Sequence, residues 1–249
     1  MRAKKISWDE RRNLMIPGNE AETLDYCVGH WIDCAQAAIT DHGYFAVALS
    51  GGNTPRAIFQ KLTRQHDRLD WSKVLLFWSD ERAVSPDNPD SNFYMAMEAG
   101  FKQLLIPAKN IHRMQAETSI EAHAQAYESL IRRKIPSLAF DLIMLGMGDD
   151  GHTASLFPHT QGLHETHKLV IANEIPQKQC WRMTFTFPLI NQAQQTCFYV
   201  LGANKQEMIK TVLMGPYLPE EHPCQRIGTP HHKALWILDE GAAKHTGTV

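Results

Sequence analysis

The sequence lacks the features that mark membrane, secreted and metal-binding proteins. No apolar segment approaches the roughly 20 residues that a membrane-spanning helix needs. The basic N-terminus is not followed by an apolar stretch, so we expect no secretory signal. Five scattered cysteines form no C-x-x-C pair, which predicts reduced thiols in a cytoplasmic protein. The histidines lack the spacing of zinc ligands, so the sequence predicts no metal site.

Charge and composition narrow the possible partners. The chain has 25 basic and 27 acidic residues, a formal net charge of -2. This balance lacks the basic surface of nucleic-acid-binding and membrane-binding proteins, so we expect neither partner and no obligate protein partner. The 249 residues can bury a sizeable core. No repeat, low-complexity tract or linker divides them, which predicts a single domain over residues 1–249.

Short apolar runs alternate with amphipathic segments along the chain. Five runs are predicted as buried strands: residues 44–49, 74–78, 142–145, 197–201 and 233–238. Less regular segments predict a helix over 93–105 and strands over 168–172 and 181–187. Strands that alternate with helices indicate an α/β fold, with three α/β/α layers around a mostly parallel, Rossmann-like sheet.

The segment after the strand at 142–145 has the pattern of a ligand-binding loop. It reads GMGDDGH, so three glycines and two aspartates precede His152. Glycine lets a backbone turn sharply and approach a ligand closely. Open α/β sheets bind ligands at the carboxyl ends of their strands, and imidazole titrates near neutral pH. We therefore expect His152 to act in a functional site, with Asp150 as a group that could orient it. A structural histidine in a connecting turn is the alternative.

A second loop joins the strand at 44–49 to a helix. Thr54 is predicted as the N-cap of that helix and Pro55 as its first residue. A helix N-terminus offers free backbone N–H groups and the positive end of the helix dipole, which favour a bound anion. The loop has more polar groups than a connection requires, and this favours a phosphate-binding cradle over a plain turn. The predicted cradle comprises Ser50, Gly51, Gly52, Asn53 and Thr54.

Charged residues also lie at the ends of other predicted strands. They are Asp80, Arg82, Arg182 and Lys205. An aspartate can serve as a base, and basic side chains can bind phosphate. A solvated ion-pair network is the alternative for each of them. Because parallel strands share one carboxyl edge, we expect the loop of Lys205 to lie near those of Ser50 and His152.

Together these motifs resemble those of the 6-phosphogluconolactonase family, within the glucosamine-6-phosphate isomerase/deaminase-like fold. Five segments carry the resemblance: SGGNTP at 50–55, WSDERAV at 78–84, LGMGDDGHTASLFP at 145–158, RMTFT at 182–186 and LGANK at 201–205. The histidine loop is the most specific of them. Asn53 stands where the family usually has serine.

The resemblance implies hydrolysis of 6-phospho-D-glucono-1,5-lactone to 6-phosphogluconate in the oxidative pentose phosphate pathway, without a metal or organic cofactor. His152 would take a proton from water, and Asp150 or Asp80 would be the further catalytic group. The cradle at residues 50–54 would bind the phosphate. Its basic partners would be Arg82 or Arg182, together with Lys205.

Three other functions remain open. A deaminase/isomerase of the same fold would use Asp80 as its base. That family normally has a tyrosine after the two acids, where this chain has Arg82. A serine hydrolase would use Ser50 with Asp239 and His245, which follow in the required order. A sugar-phosphate sensor would keep the phosphate-binding residues and would have no need of His152.

Overall fold

A computed structural model of the chain describes residues 5–248. The strands in this range are β1 Ile6–Ser7, β2 Arg12–Met15, β3 Phe45–Leu49, β4 Val74–Trp78, β5 Asp80–Arg82, β6 Leu142–Leu145, β7 Val170–Ile175, β8 Cys180–Phe185, β9 Thr196–Val200 and β10 Ala234–Leu238. The α-helices are α1 Glu20–His42, α2 Asn53–Leu62, α3 Asn92–Glu98, α4 Ile120–Lys134, α5 Phe187–Ile190, α6 Gln206–Met214 and α7 Glu240–Ala243. Across these described residues, no helix combines the length and the apolar character that crossing a bilayer requires.

Seven strands form a large sheet in the order β1-β2-β10-β9-β6-β3-β4. Its neighbouring strands are parallel, except that β1 and β2 are antiparallel. Every residue of β3, β6 and β9 is buried, as expected for strands that are covered on both faces. Helices flank the sheet, and the predicted three-layer α/β/α fold with a mostly parallel sheet is confirmed.

A small antiparallel sheet, β5-β8-β7, lies next to the end of β4. Its strand β5 was not predicted, because three charged residues carry no alternating apolar pattern. Ser79 connects the two sheets. Its N–H donates to the carbonyl of Leu49 at 2.9 Å, and its carbonyl accepts from the N–H of Phe185 at 2.8 Å.

Several predicted boundaries are wrong for local reasons. The helix predicted over 93–105 ends at Glu98, because Gly100 adopts a φ of 126° that breaks the helix. The strand predicted over 181–187 ends at Phe185, since Pro188 lies in the first turn of α5. The strand predicted over 168–172 corresponds to β7, which begins two residues later and ends at Ile175.

The start of α2 also differs from the prediction. Gly52, not Thr54, is the N-cap, and Asn53 is the first helical residue. Gly52 has a φ of 108°, a conformation that threonine rarely adopts. No side chain caps α2, so the N–H groups of its first turn are left without a side-chain partner.

Candidate active site

One cleft at the carboxyl ends of the parallel strands contains most of the predicted site residues. It has a volume of about 180 Å³ and extends from the loop after β3 to the loop after β6. Seven predicted residues line it: Ser50, Gly51, Gly52, Asp80, Arg82, His152 and Arg182. The expected convergence of loops at this edge of the sheet is therefore present.

Four predicted residues do not line the cleft. Asn53 and Thr54 lie in the first turn of α2, directly after Gly51 and Gly52, which do line the cleft. Asp150 contacts the ring of His152. Lys205 donates from Nζ to the carbonyl of Met147 at 3.2 Å and also pairs with Asp149 at 2.5 Å. Its ammonium group thus lies against the histidine loop.

His152 is held by its neighbour Asp150. Nδ1 of the imidazole lies 2.5 Å from Oδ1 of Asp150, which also accepts the backbone N–H of His152 at 3.1 Å. Burial opposes ionisation of Asp150, but its hydrogen bonds and ionic interaction with His152 lower its pKa to about 2. The carboxylate is therefore an acceptor only, and Nδ1 must carry the proton. In the neutral ring Nε2 then has a free lone pair, and it has no hydrogen bond within residues 5–248.

The backbone of the histidine loop is closed by short hydrogen bonds. The N–H of Gly148 donates to the carbonyl of His152 at 2.9 Å, and Thr153 Oγ1 donates to the carbonyl of Gly146 at 2.9 Å. Gly148 lies so near the imidazole that an added Cβ would overlap with Nδ1 of His152. Glycine was expected to let the backbone approach a ligand. At Gly148 it instead lets the backbone approach the imidazole of His152, in the same loop.

Asp80 is buried at the wall of the cleft, with 5% of its surface exposed. Oδ2 accepts a hydrogen bond from Ser155 Oγ at 2.6 Å, and Oδ1 accepts one from Asn92 Nδ2 at 3.1 Å. The neighbouring Glu81 caps α3: its carboxylate accepts the N–H groups of Asn92 and Phe93, both at 2.8 Å. One of the two acids thus faces the cleft, and the other fixes the helix that supplies Asn92.

Arg82 and Arg182 lie directly opposite each other on β5 and β8. Like charges in such a pair are destabilising unless an anion lies between them. The Nε atoms of both side chains are buried and have no hydrogen-bond partner within the described residues, and neither guanidinium forms an ion pair there. With the uncapped N-terminus of α2 in the same cleft, this arrangement favours a bound anion.

Sequence reasoning missed Asn92 and Ser155, which hold Asp80. Ser155 belongs to the quoted histidine motif, but its partner is 75 residues away, and no local pattern indicates the contact. Asn92 follows a polar, turn-rich segment, and its position at the start of α3 was the one available signal.

The serine-hydrolase alternative is not supported by the geometry. Ser50 Oγ donates to the carbonyl of Gly51 at 3.3 Å, whereas His245 pairs with Glu207 at 3.5 Å. Asp239 accepts the N–H groups of Gly202 and Ala242. The three residues therefore form no triad. Within residues 5–248, no group of three or more histidine, cysteine or acidic side chains could hold a metal ion.

Comparison with known proteins gives one consistent family. The family described as glucosamine-6-phosphate isomerases/6-phosphogluconolactonase matches residues 18–236. The 6-phosphogluconolactonase of Chlamydia trachomatis is 40% identical over 245 residues, which cover 98% of this chain and 94% of the relative. That of Synechocystis sp. is 43% identical over 215 residues, covering 84% and 87%. The crystal structure of Thermotoga maritima 6-phosphogluconolactonase has a TM-score of 0.79 at 27% identity, covering 91% and 98%. The chain therefore belongs to the glucosamine-6-phosphate isomerase/6-phosphogluconolactonase family.

Proposed function

We propose that this protein is a 6-phosphogluconolactonase that hydrolyses 6-phospho-D-glucono-1,5-lactone to 6-phosphogluconate in the oxidative pentose phosphate pathway. The observation that carries the proposal is the content of the cleft. An imidazole held in one tautomer and two arginines without an anionic partner occur there together. The relatives that bear this enzyme's name match nearly the whole chain. We also propose that residues 1–249 form one domain, and the free state of all five cysteines supports a cytoplasmic location.

The phosphate of the substrate is proposed to bind between Arg82, Arg182 and the N-terminus of α2. Guanidinium groups and backbone N–H groups are the donors that phosphate prefers. Lys205 is proposed as a further phosphate ligand: its Nζ lies on the carbonyl of Met147 and pairs with Asp149, and it would exchange that carboxylate for the phosphate. Binding the phosphate fixes the distant lactone carbonyl, and orientation of this kind lowers the barrier to reaction.

His152 is the proposed base. Nε2 takes a proton from a water molecule while the water oxygen forms a bond to the lactone carbonyl carbon. The tetrahedral intermediate then collapses with cleavage of the bond between that carbon and the ring oxygen. The imidazolium returns its proton to the departing oxygen, so the histidine ends the cycle as it began. Asp150 keeps the proton on Nδ1 throughout, and Asp80 is a further proposed catalytic group, held at the wall of the cleft by Ser155.

The test compares the phosphorylated lactone with plain glucono-1,5-lactone, after the spontaneous rate is subtracted at each pH. We expect a much higher kcat/KM for the phosphorylated lactone. In His152→Asn, kcat should fall by about 10²–10⁴-fold, since that is the usual contribution of a general base, while 6-phosphogluconate still binds.

Equal kcat/KM values for the two lactones would overturn the proposed phosphate site. Near wild-type kcat in a folded His152→Asn protein would move the base to Asp80 or Asp150. Ammonia release from glucosamine 6-phosphate would instead identify a deaminase, and 6-phosphogluconate binding without turnover of the lactone would identify a sensor.

A further inference from the structure

Phe157 contacts the candidate active site from below the histidine loop. Its side chain is buried, with 1% of its surface exposed. The imidazole of His152 stacks on the Phe157 ring, with the ring centroids 3.8 Å apart and the ring planes inclined by 17°. The ring is therefore a fixed surface against which the imidazole packs.

The stack and the hydrogen bond restrain His152 in complementary ways. The contact with Asp150 fixes one atom of the imidazole, Nδ1, but a ring held at one atom can still tilt. A flat aromatic surface below the ring fixes its plane. Together the two contacts define the direction of Nε2, which is the atom that must meet a proton of the attacking water.

The same aromatic ring also contacts the phosphate-binding side of the cleft. Cζ of Arg182 lies over it, 5.8 Å from the centroid. A guanidinium at this distance from a ring centroid gains a favourable cation–π interaction. Phe157 therefore contacts both a proposed catalytic group and a proposed anion ligand, which lie 30 residues apart in sequence.

We infer that Phe157 is a positioning residue that holds the imidazole of His152 and the guanidinium of Arg182 on one buried ring. The inference rests on the proposed function, and it adds a requirement that the motif resemblance does not supply. A leucine at this position would keep an apolar side chain but would remove the flat surface that both groups use.

The first test compares Phe157→Leu with Phe101→Leu. Phe101 is likewise 1% exposed, and its ring packs against Phe59 and Trp71, away from the cleft. This control reports what loss of a buried ring does by itself. We expect kcat of Phe157→Leu to fall by about 10²-fold, because small misplacements of catalytic groups cost this much. Phe101→Leu should keep kcat within about threefold of wild type once its folding is confirmed.

The second test is a pair of double-mutant cycles. In the His152→Asn background, Phe157→Leu should lower kcat no further, since the group that it positions is absent. Phe157→Leu should weaken 6-phosphogluconate binding about two- to fivefold, the range of a cation–π contact. In the Arg182→Ala background that loss of affinity should disappear. Effects of full size in both backgrounds would overturn the inference, as would equal kcat values for the two leucine variants.

A third measurement does not depend on turnover. Protons held over an aromatic face resonate upfield, so the ring proton signals of His152 should move downfield in Phe157→Leu. The signals can be assigned among the 13 histidines by their loss in His152→Asn. Absence of lactone hydrolysis by the wild-type protein would refute the proposed function alone. Unmoved His152 signals would refute the positioning role, whatever the activity.

Discussion

Gly148 shows how a residue without a side chain controls the position of the proposed base. An added Cβ there would overlap with Nδ1 of His152 and would lie 2.8 Å from Oδ1 of Asp150, so the imidazole and its carboxylate partner would both have to move. Gly146, two residues earlier in the same loop, is different. Its added Cβ would meet Ser50 Oγ at 3.8 Å, an ordinary contact.

This contrast gives a matched pair of variants. Gly148→Ala should lower kcat by about 10²-fold, because it displaces the imidazole without removing it. Gly146 also lines the cleft, so Gly146→Ala adds a methyl group there without displacing the imidazole and should keep a higher kcat than Gly148→Ala. Steady-state kinetics with 6-phosphogluconolactone, together with thermal unfolding of both proteins, make the comparison. Equal kcat values in the two variants would show that the position of the imidazole is not set by Gly148.

Single residues of the site were predicted unevenly from the sequence. His152 and Arg82 could be found because each follows an apolar strand within a few residues, and strand ends predict where loops gather. The hydrogen bond from Ser155 to Asp80 and the stack of His152 on Phe157 could not be found in this way. Both depend on how the chain turns after His152, including the left-handed backbone of Ala154 with a φ of 47°.

At the scale of elements, the ends of α1 are set by residues that the sequence itself identifies. Asn19 caps it by accepting the N–H groups of Ala21 and Glu22 at 3.0 and 3.1 Å, and Gly43 ends it with a φ of 90°. Both are residue types that favour these positions for local reasons. β5 was missed because its strand conformation is imposed by pairing with β8, and nothing local in Asp80–Arg82 requires it.

The middle of α1 contains a residue that weakens it. Gly29 lies inside the helix, and an added Cβ would meet no atom within 4 Å. Gly29→Ala should therefore raise the free energy of unfolding by about 0.5–1 kcal/mol, because alanine loses less backbone entropy on folding. Urea denaturation measures this change, and kcat/KM should stay at the wild-type value. A loss of stability would mean that Gly29 has a contact that its surroundings do not reveal.

At the scale of the whole molecule, the two sheets contribute different parts of the cleft. The large sheet supplies the glycine turn before α2 and the histidine loop after β6. The small sheet supplies the opposed side chains Arg82 and Arg182. Ser79 joins the sheets, and the hydrogen bond from Ser155 to Asp80 links them again, so both contacts hold the proposed base in position relative to the proposed anion ligands. In the protein without ligand, repulsion between the opposed side chains of Arg82 and Arg182 lowers the free energy of unfolding.

Arg182→Met tests this trade-off between stability and binding. Removing one of two opposed cations, along with its unpaired buried Nε, should raise the unfolding free energy of the free protein by up to about 1 kcal/mol. Wild type with 6-phosphogluconate at 100 times its Kd should gain about 2.7 kcal/mol, and the variant at the same ligand concentration should gain much less. Thermal unfolding with and without ligand measures both effects.

Arg133→Met, at an exposed position on α4, serves as the control and should respond to ligand as the wild type does. Should Arg182→Met keep the full ligand-induced gain, the opposed arginines would not be the anion site.

The order of strands in the large sheet has a consequence for biosynthesis. β10 lies between β2 and β9, and Ala234 pairs with Arg12. During translation β2 can therefore pair only with the short β1 until β10 has been synthesised. By that time every residue that lines the cleft has been made. Pairing of segments so far apart in sequence is slow, because a long loop must close before the contacts form. The residues that line the cleft are thus all synthesised before β10 can complete the large sheet, and we expect the pairing of β10 with β2 to be a slow step of folding.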